Sequence, residues 1–221
     1  MEWLTTVQKF FIDGGAFMYP ILLVMAVGTA IVIERFLVLF RAQTDGHQLW
    51  SKIRAALMGQ KLDEAIRLCR ASNAPLPQLL LVGLTQLKSQ APRPQMEGSL
   101  QEFVLEVVPN LERRTGYLPI LANVATLLGL LGTIIGLIRS FQSIAVADPS
   151  QKAALIAQGI SVAMNTTAFG LIVAIPLLLA YSFLQSRTLR IEDSLDEFST
   201  KLLNAAEQSR GAVAAPKAVH A

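Results

Sequence analysis

Hydroxyl and amide side chains lie inside two long apolar runs of this sequence, residues 117–138 and 153–186. A buried hydroxyl or amide is costly unless it has a hydrogen-bond partner. These side chains therefore either bridge neighbouring helices or line a hydrated ion path, and the residues alone leave both interpretations open. The candidates for an ion path are Thr126, Thr133, Ser161, Asn165, Thr166 and Thr167.

Acidic side chains are absent from the same two runs. A proton or sodium carrier needs an ionisable group inside the membrane. If this chain conducts ions, we expect another chain to supply the carboxylate. No His, Cys, Asp or Glu cluster has metal-site spacing, and no phosphate loop or nucleophile elbow is visible. The sequence therefore predicts a protein that is not an enzyme and needs neither a metal nor a cofactor.

The composition is typical of a membrane protein. The chain of 221 residues is 52 % apolar and only 16 % charged, and its mean hydropathy is +0.47. Soluble domains carry about 25 % charged residues. Three apolar stretches reach the roughly 20 residues that a helix needs to cross a bilayer. We therefore predict an all-α membrane protein with three transmembrane helices, long helices extending into the cytoplasm and a small helical cytoplasmic domain.

Basic residues predict the orientation of the three spans. Segment 41–118 holds ten Lys and Arg, whereas loop 140–157 holds one. Basic loops stay in the cytoplasm, so the N-terminus is predicted outside and the C-terminus inside. The predicted segments are an outer interfacial helix (1–15), the first span (16–40), a cytoplasmic helical domain (41–116), the second span (117–141), a periplasmic loop (142–157), the third span (158–186), a cytoplasmic helix (187–208) and a disordered tail (209–221).

Small residues recur on one face of each of the last two spans. Close helix packing in lipid relies on such residues, because lipid offers no hydrophobic drive for helix association. The two faces look too extensive for one three-helix chain to bury, which predicts a homo-oligomer. The packing candidates are Ala125, Gly129, Gly132 and Gly136 on the second span and Ala163, Gly170 and Ala174 on the third.

Two motifs carry a family resemblance. "ANVATLLGLLGTIIGLIRSF", followed by "GISVAMNTTAFGLIVAIPLLLAYSFL", resembles the MotA/TolQ/ExbB proton-channel family, and the three-span layout is similar to its ExbB and TolQ branch. The resemblance places the threonines of the family's channel motifs at Thr133 and Thr167. The sequence departs from the family at Val162, where ExbB and TolQ carry Glu, and at Thr126, where they carry Pro.

The resemblance also implies partners. A homopentamer would surround two copies of an ExbD-like or TolR-like single-span protein that carries a membrane Asp, with a TonB-like or TolA-like protein beyond. It implies a multi-pass protein of the bacterial cell inner membrane that uses proton motive force for mechanical work in the envelope, in contact with lipid and not with nucleic acid. Two alternatives stay open: a stator for another machine, such as gliding or flagellar rotation, and a non-conducting membrane scaffold.

Overall fold

The fold is wholly helical in the described part of the chain. The computed structural model describes residues 14–145 and 148–214, and within these ranges it contains no strand. The prediction of an all-α protein is therefore confirmed. The helices are α1 (Met18–Ala42), α2 (Gly46–Met58), α3 (Leu62–Arg70), α4 (Pro75–Lys88), α5 (Arg93–Glu112), α6 (Tyr117–Ala145) and α7 (Lys152–Ala214).

Three helical segments are long and apolar enough to cross a membrane, and they contain α1, α6 and α7. The predicted number of spans is confirmed. Large apolar side chains project from these helices, with Leu23 65 %, Leu127 62 % and Leu179 67 % exposed. Apolar surface on this scale marks a membrane or protein contact, in agreement with helices that lie in lipid.

The helix ends differ from the predicted segments in three places. Helix α6 runs to Ala145 and α7 begins at Lys152, so helix occupies much of the predicted periplasmic loop, 142–157. Helix α7 is continuous across the predicted division at residue 186 and continues to Ala214. The predicted disordered tail, 209–221, is thus helical over its first six residues, and residues 215–221 lie outside the described part.

These differences have a simple cause. Pro149 is the only helix-breaking residue between the ends of α6 and α7, so apolar and polar helix formers on either side extend both helices toward it. The predicted outer helix, 1–15, falls almost wholly on residues outside the described part. The described Gly15 has φ +74°, a left-handed conformation that glycine adopts without strain, just ahead of α1.

The described chain divides into two compact units. The first comprises the chain up to Arg35 together with Arg114–Phe183, and the second comprises Phe36–Arg113 together with the chain from Leu184 onward. In the first unit α1 packs on α7 at Gly28, where an added Cβ would lie 2.7 Å from a methyl group of Leu177.

The second unit has an ordinary apolar core. Helix α2 begins at a polar cap, where Asp45 accepts a hydrogen bond of 3.1 Å from the backbone N–H of Gln48, and α4 and α5 begin at prolines. Cys69 is fully buried, and burial raises the pKa of its thiol to about 11. The core includes Ile53, Cys69, Leu79, Leu80, Leu84, Met96, Leu100, Leu195, Phe198 and Leu202.

Candidate functional site: the seam between α6 and α7

Helices α6 and α7 approach one another most closely at glycines. A Cβ placed on Gly170 would lie 2.7 Å from the carbonyl oxygen of Ala125, and one placed on Gly129 would lie 3.2 Å from the carbonyl oxygen of Thr166. The obstructing atoms are backbone, which cannot turn aside as a flexible side chain can. The two helices are therefore in contact through their main chains, which only small residues permit.

The contact continues along α6 toward its C-terminal end. A Cβ on Gly132 would overlap the methyl group of Thr166, and one on Gly136 would lie 3.2 Å from the Cβ of Ala163. Ala174 is also buried. We call this contact the seam, and its residues are Ala125, Gly129, Gly132 and Gly136 of α6 with Ala163, Thr166, Thr167 and Gly170 of α7.

The seam corrects one step of the sequence argument. The small-residue faces were expected to be too extensive for one chain to bury. Instead the face of α6 is covered by the face of α7 in the same chain; for example, Ala125 is fully buried and Ala163 is 3 % exposed. Such faces let two backbones approach one another or approach a third helix, and in this structure they approach one another. These stripes therefore give no argument for an oligomer.

Thr166 lies inside the seam and is 1 % exposed. Its hydroxyl oxygen is 2.7 Å from the carbonyl oxygen of Gly14 and 2.9 Å from that of Val162, one turn earlier in its own helix. A hydroxyl has one proton to donate, so it serves either acceptor. The bond to Gly14 ties α7 to the segment that precedes α1. Sequence reasoning missed this link, because a backbone carbonyl leaves no mark in the sequence.

Thr167 makes a hydrogen bond between the two helices. Its hydroxyl donates to the carbonyl oxygen of Gly129 at 3.0 Å. That carbonyl is reachable because Gly129 has no side chain and its Cα lies close to the Cα atoms of Thr167 and Gly170. A polar bond of this kind holds helices together in lipid, at about 0.6 kcal/mol on average.

Thr133 and Thr126 bond within their own helix. Thr133 donates to the carbonyl oxygen of Leu130 at 2.6 Å, and Thr126 donates to that of Ala122 at 3.1 Å. Both side chains are half-buried. Thr133 is one turn beyond Gly129, about 6 Å along the helix and rotated by about 40° from it.

The other two candidates lie on a different side of α7. Each residue of a helix is rotated by about 100° from the one before, so Asn165 is about 160° and Ser161 about 120° from Thr167 around the axis. Asn165 is half-buried and Ser161 is exposed. The structure therefore places Thr166 and Thr167 in the seam, and Thr133 one turn from Gly129, but it does not gather all six candidates there.

The far end of the seam has its own polar link. Ser140, which is 6 % exposed, donates a hydrogen bond of 3.2 Å to the carbonyl oxygen of Leu155. An added Cβ on Gly159 would overlap the Ser140 side chain. No group of three or more His, Cys, Asp or Glu side chains that could hold a metal occurs in the described ranges. What the seam offers chemically is hydroxyl and carbonyl oxygen.

The family model of the MotA/TolQ/ExbB proton channel family matches residues 71–197, which is more than half of the chain. The chain belongs to this family. The match contains the described α6 and the part of α7 that forms the seam. Membership makes the chain a membrane protein of a proton-channel family, not of a known enzyme class, and it confirms the resemblance drawn from the two motifs.

Relatives of this family match most of the chain. It is 29 % identical over 186 residues to the Tol-Pal system protein TolQ of Haemophilus influenzae, covering 78 % of this chain and 81 % of the relative. It is 29 % identical over 203 residues to the biopolymer transport protein ExbB of Neisseria meningitidis, with 84 % and 90 % covered. ExbB of Neisseria gonorrhoeae is 30 % identical over 199 residues, with 83 % and 89 % covered.

Proposed function

We propose that this chain is the channel subunit of an envelope energiser that couples proton motive force to mechanical work, together with an ExbD-like or TolR-like partner. The observation that carries the proposal is the family match over 71–197, because the matched region contains both Thr133 and Thr167. The likeness to TolQ and ExbB proteins favours Tol-type envelope maintenance or TonB-type import as the work done.

The role of the threonines follows from the acceptors to which their hydroxyl groups donate hydrogen bonds. The hydroxyls of Thr133 and Thr167 donate to backbone carbonyls, so the lone pairs of both oxygens remain to accept hydrogen bonds. An acceptor suits a water molecule or a neutral, protonated carboxyl group. A hydroxyl does not titrate near neutral pH, so these residues solvate or relay the proton and do not carry it.

The titrating group is then a carboxylate of the partner. Runs 117–138 and 153–186 contain no Asp or Glu, and a charged carboxylate in a low-dielectric site is costly without polar neighbours. The partner's Asp would cross this region protonated, with its single O–H donating a hydrogen bond to one threonine oxygen at a time, and would ionise where water reaches it. Each charge that crosses yields about 2.3 kcal/mol per 100 mV of membrane potential.

The assembly we propose is a homopentamer around two partner helices in the bacterial inner membrane, with the N-terminus in the periplasm and segment 41–116 in the cytoplasm. Large exposed apolar side chains outside the seam, such as Leu130 and Ile134, are available for neighbouring copies, the partner and lipid. The basic residues of segment 41–118 support the orientation.

Proton flux through proteoliposomes that contain the chain and its partner tests the proposal. We expect Thr133→Val and Thr167→Val, which keep the shape and remove the hydroxyl, to abolish flux without dissociating the complex. Thr133→Ser and Thr167→Ser should retain much of it. Unchanged flux in both valine variants would favour a non-conducting scaffold.

Ser161 provides a matched control. It was a candidate for the ion path, but it is exposed on the other side of α7. We expect Ser161→Ala to conduct like the unmodified chain. A loss of flux as deep as that of Thr167→Val would move the path away from the seam. Flux with a flagellar-type partner but not with an ExbD-like one would instead favour the stator alternative.

A further inference from the structure

Arg114 occupies an unusual backbone position in the turn between α5 and α6. Its φ is +67°, in the left-handed region that side-chain-bearing residues seldom adopt. Glycine is the residue suited to such a conformation, yet Gly116, two residues later, does not take it. The carbonyl oxygen of Arg114 accepts a bond of 3.1 Å from the N–H of Tyr117, the first residue of α6. Arg114 therefore sets how α6 begins.

The side chain of Arg114 reaches α1. Its Nη1 lies 2.7 Å and 2.6 Å from the two carboxylate oxygens of Glu34. Glu34 also accepts a bond of 3.0 Å from Nη2 of Arg35, which is 5 % exposed. Charge-assisted hydrogen bonds are the stronger and more directional kind. One acidic residue of α1 thus joins a buried arginine of α1 to the turn that precedes α6.

The α6 side of the seam consists of glycine and alanine, which permit close approach but present few interlocking side chains. A partly exposed ion pair contributes little to stability. The effect expected of this ion pair is therefore on the position of α6 and not on the free energy of unfolding. Thr133 is 16 residues beyond Tyr117, about 24 Å along the helix, and a rigid helix carries a displacement of its first turn to that point.

We propose that Glu34 and Arg114 are a positioning pair that sets the rotation and depth of α6 against α1, and thereby holds Thr133 where ions pass. This inference rests on the proposed channel function for its consequence, but not for its geometry. The competing explanation is that Arg114 acts only as one of the basic residues that orient the chain.

The first test measures flux in proteoliposomes with the partner present. We expect Glu34→Gln and Arg114→Gln each to lower flux about fivefold or more, the size of a modest coupling between sites. The exchanged pair, Glu34→Arg with Arg114→Glu, should restore most of it. Arg113→Gln removes the same charge from the neighbouring exposed residue and should leave flux unchanged.

The variant Arg114→Gly distinguishes the contribution of the side chain from that of the backbone conformation. Glycine adopts positive φ without strain, so the turn can keep its shape while the ion pair is lost. We expect flux to fall as far as in Arg114→Gln. Normal flux in Arg114→Gly, or an equal loss in Arg113→Gln, would overturn the proposal.

The second test measures position directly. Spin labels on Leu23→Cys of α1 and Leu127→Cys of α6, both exposed in the unmodified chain, report the distance between the helices when labelled chains are diluted with unlabelled ones. The native Cys69 is buried and should escape labelling. We expect the distance to shift or broaden by at least about 1.5 Å, one residue's rise, in Glu34→Gln and Arg114→Gln but not in Arg113→Gln.

The two tests fail separately. Absence of flux from the unmodified chain with its partner would defeat the proposed function, while a shifted label distance would still establish the positioning pair. An unchanged distance in both ion-pair variants would overturn the positioning role, whatever the flux.

Discussion

The seam of the first unit and the apolar core of the second unit hold helices together in different ways. The core is made of large side chains such as Phe198 and Leu202, which are at most 2 % exposed. The seam is made of glycine, alanine and threonine, and its closest contacts involve backbone atoms. In water, helices associate because packing buries large apolar side chains away from the solvent. In lipid that drive is missing, so helices gain from close packing and hydrogen bonds.

The comparison predicts opposite responses to a change of side-chain size. The core should fail when volume is removed, and the seam should fail when volume is added. Hydrogen bonds should matter for the seam and very little for the core, and the following predictions run from the largest expected effect to the smallest.

The largest effect should come from emptying the core. Leu195 is fully buried, so Leu195→Ala removes packed atoms and leaves a cavity that costs about 2–5 kcal/mol of unfolding free energy. Leu105 is 68 % exposed in the same unit, and Leu105→Ala should cost less than about 0.5 kcal/mol. Denaturant unfolding of the two variants measures the loss of unfolding free energy. Equal losses in both variants would contradict the idea that the core is stabilised by its packed side-chain volume.

Filling the seam should come next. Gly132→Leu places a side chain where even a Cβ overlaps the methyl group of Thr166, and overpacking costs about 1–3 kcal/mol. The substitution raises hydropathy, so we expect membrane insertion to stay normal while flux is lost. Gly98→Leu is the control, because nothing lies within 4 Å of its added Cβ. Normal flux in Gly132→Leu would argue against the packing account.

A smaller effect should follow from removing one hydrogen bond of the seam. Thr167→Val loses the bond to Gly129 and should cost about 0.6 kcal/mol in the membrane. Thr188 is fully buried, whereas Thr167 is half-buried, and Thr188 donates to the carbonyl of Leu184 in its own helix, a bond the helix does not need. We expect Thr188→Val to leave the stability nearly unchanged. Thermal unfolding of the two valine variants measures the difference. A larger loss of stability in Thr188→Val than in Thr167→Val would contradict the idea that the hydrogen bond between the helices is the more important one.

The smallest effect at neutral pH should come from the titration of the core thiol. Burial raises the pKa of Cys69 to about 11 from 9.0, so between these pH values the folded state keeps a proton that the unfolded state has lost. Stability from this group is complete below pH 9 and declines as the pH rises toward 11. Cys69→Ala should remove that part of the decline. Alkylation of native protein at pH 8 should be slow and should accelerate in urea; rapid alkylation without urea would place the thiol outside the core.

Much of the fold could be predicted from periodicity and composition. Met96 and Leu100 recur at helical spacing in the sequence, as do Leu195 and Phe198, and all four lie in the core. The ends of the helices near the outer loop could not be predicted from apolar content, because helical hydrogen bonding continues beyond the apolar runs. At the site, the sequence singles out Gly129 and Thr167 by residue type and spacing. It does not predict that the two residues are joined by a hydrogen bond.

The sequence by itself determined the helical class, the three apolar spans, the small-residue faces and the absence of acidic groups from the second and third spans. Only the tertiary structure decided that those faces cover one another, that Thr166 bonds the carbonyl of Gly14, and that Arg114 holds Glu34. The physical reason is that periodicity fixes which residues share a face of one helix. Which face meets which neighbour, and at what register, depends on packing between residues far apart in the chain, as with the 152 positions that separate Gly14 from Thr166.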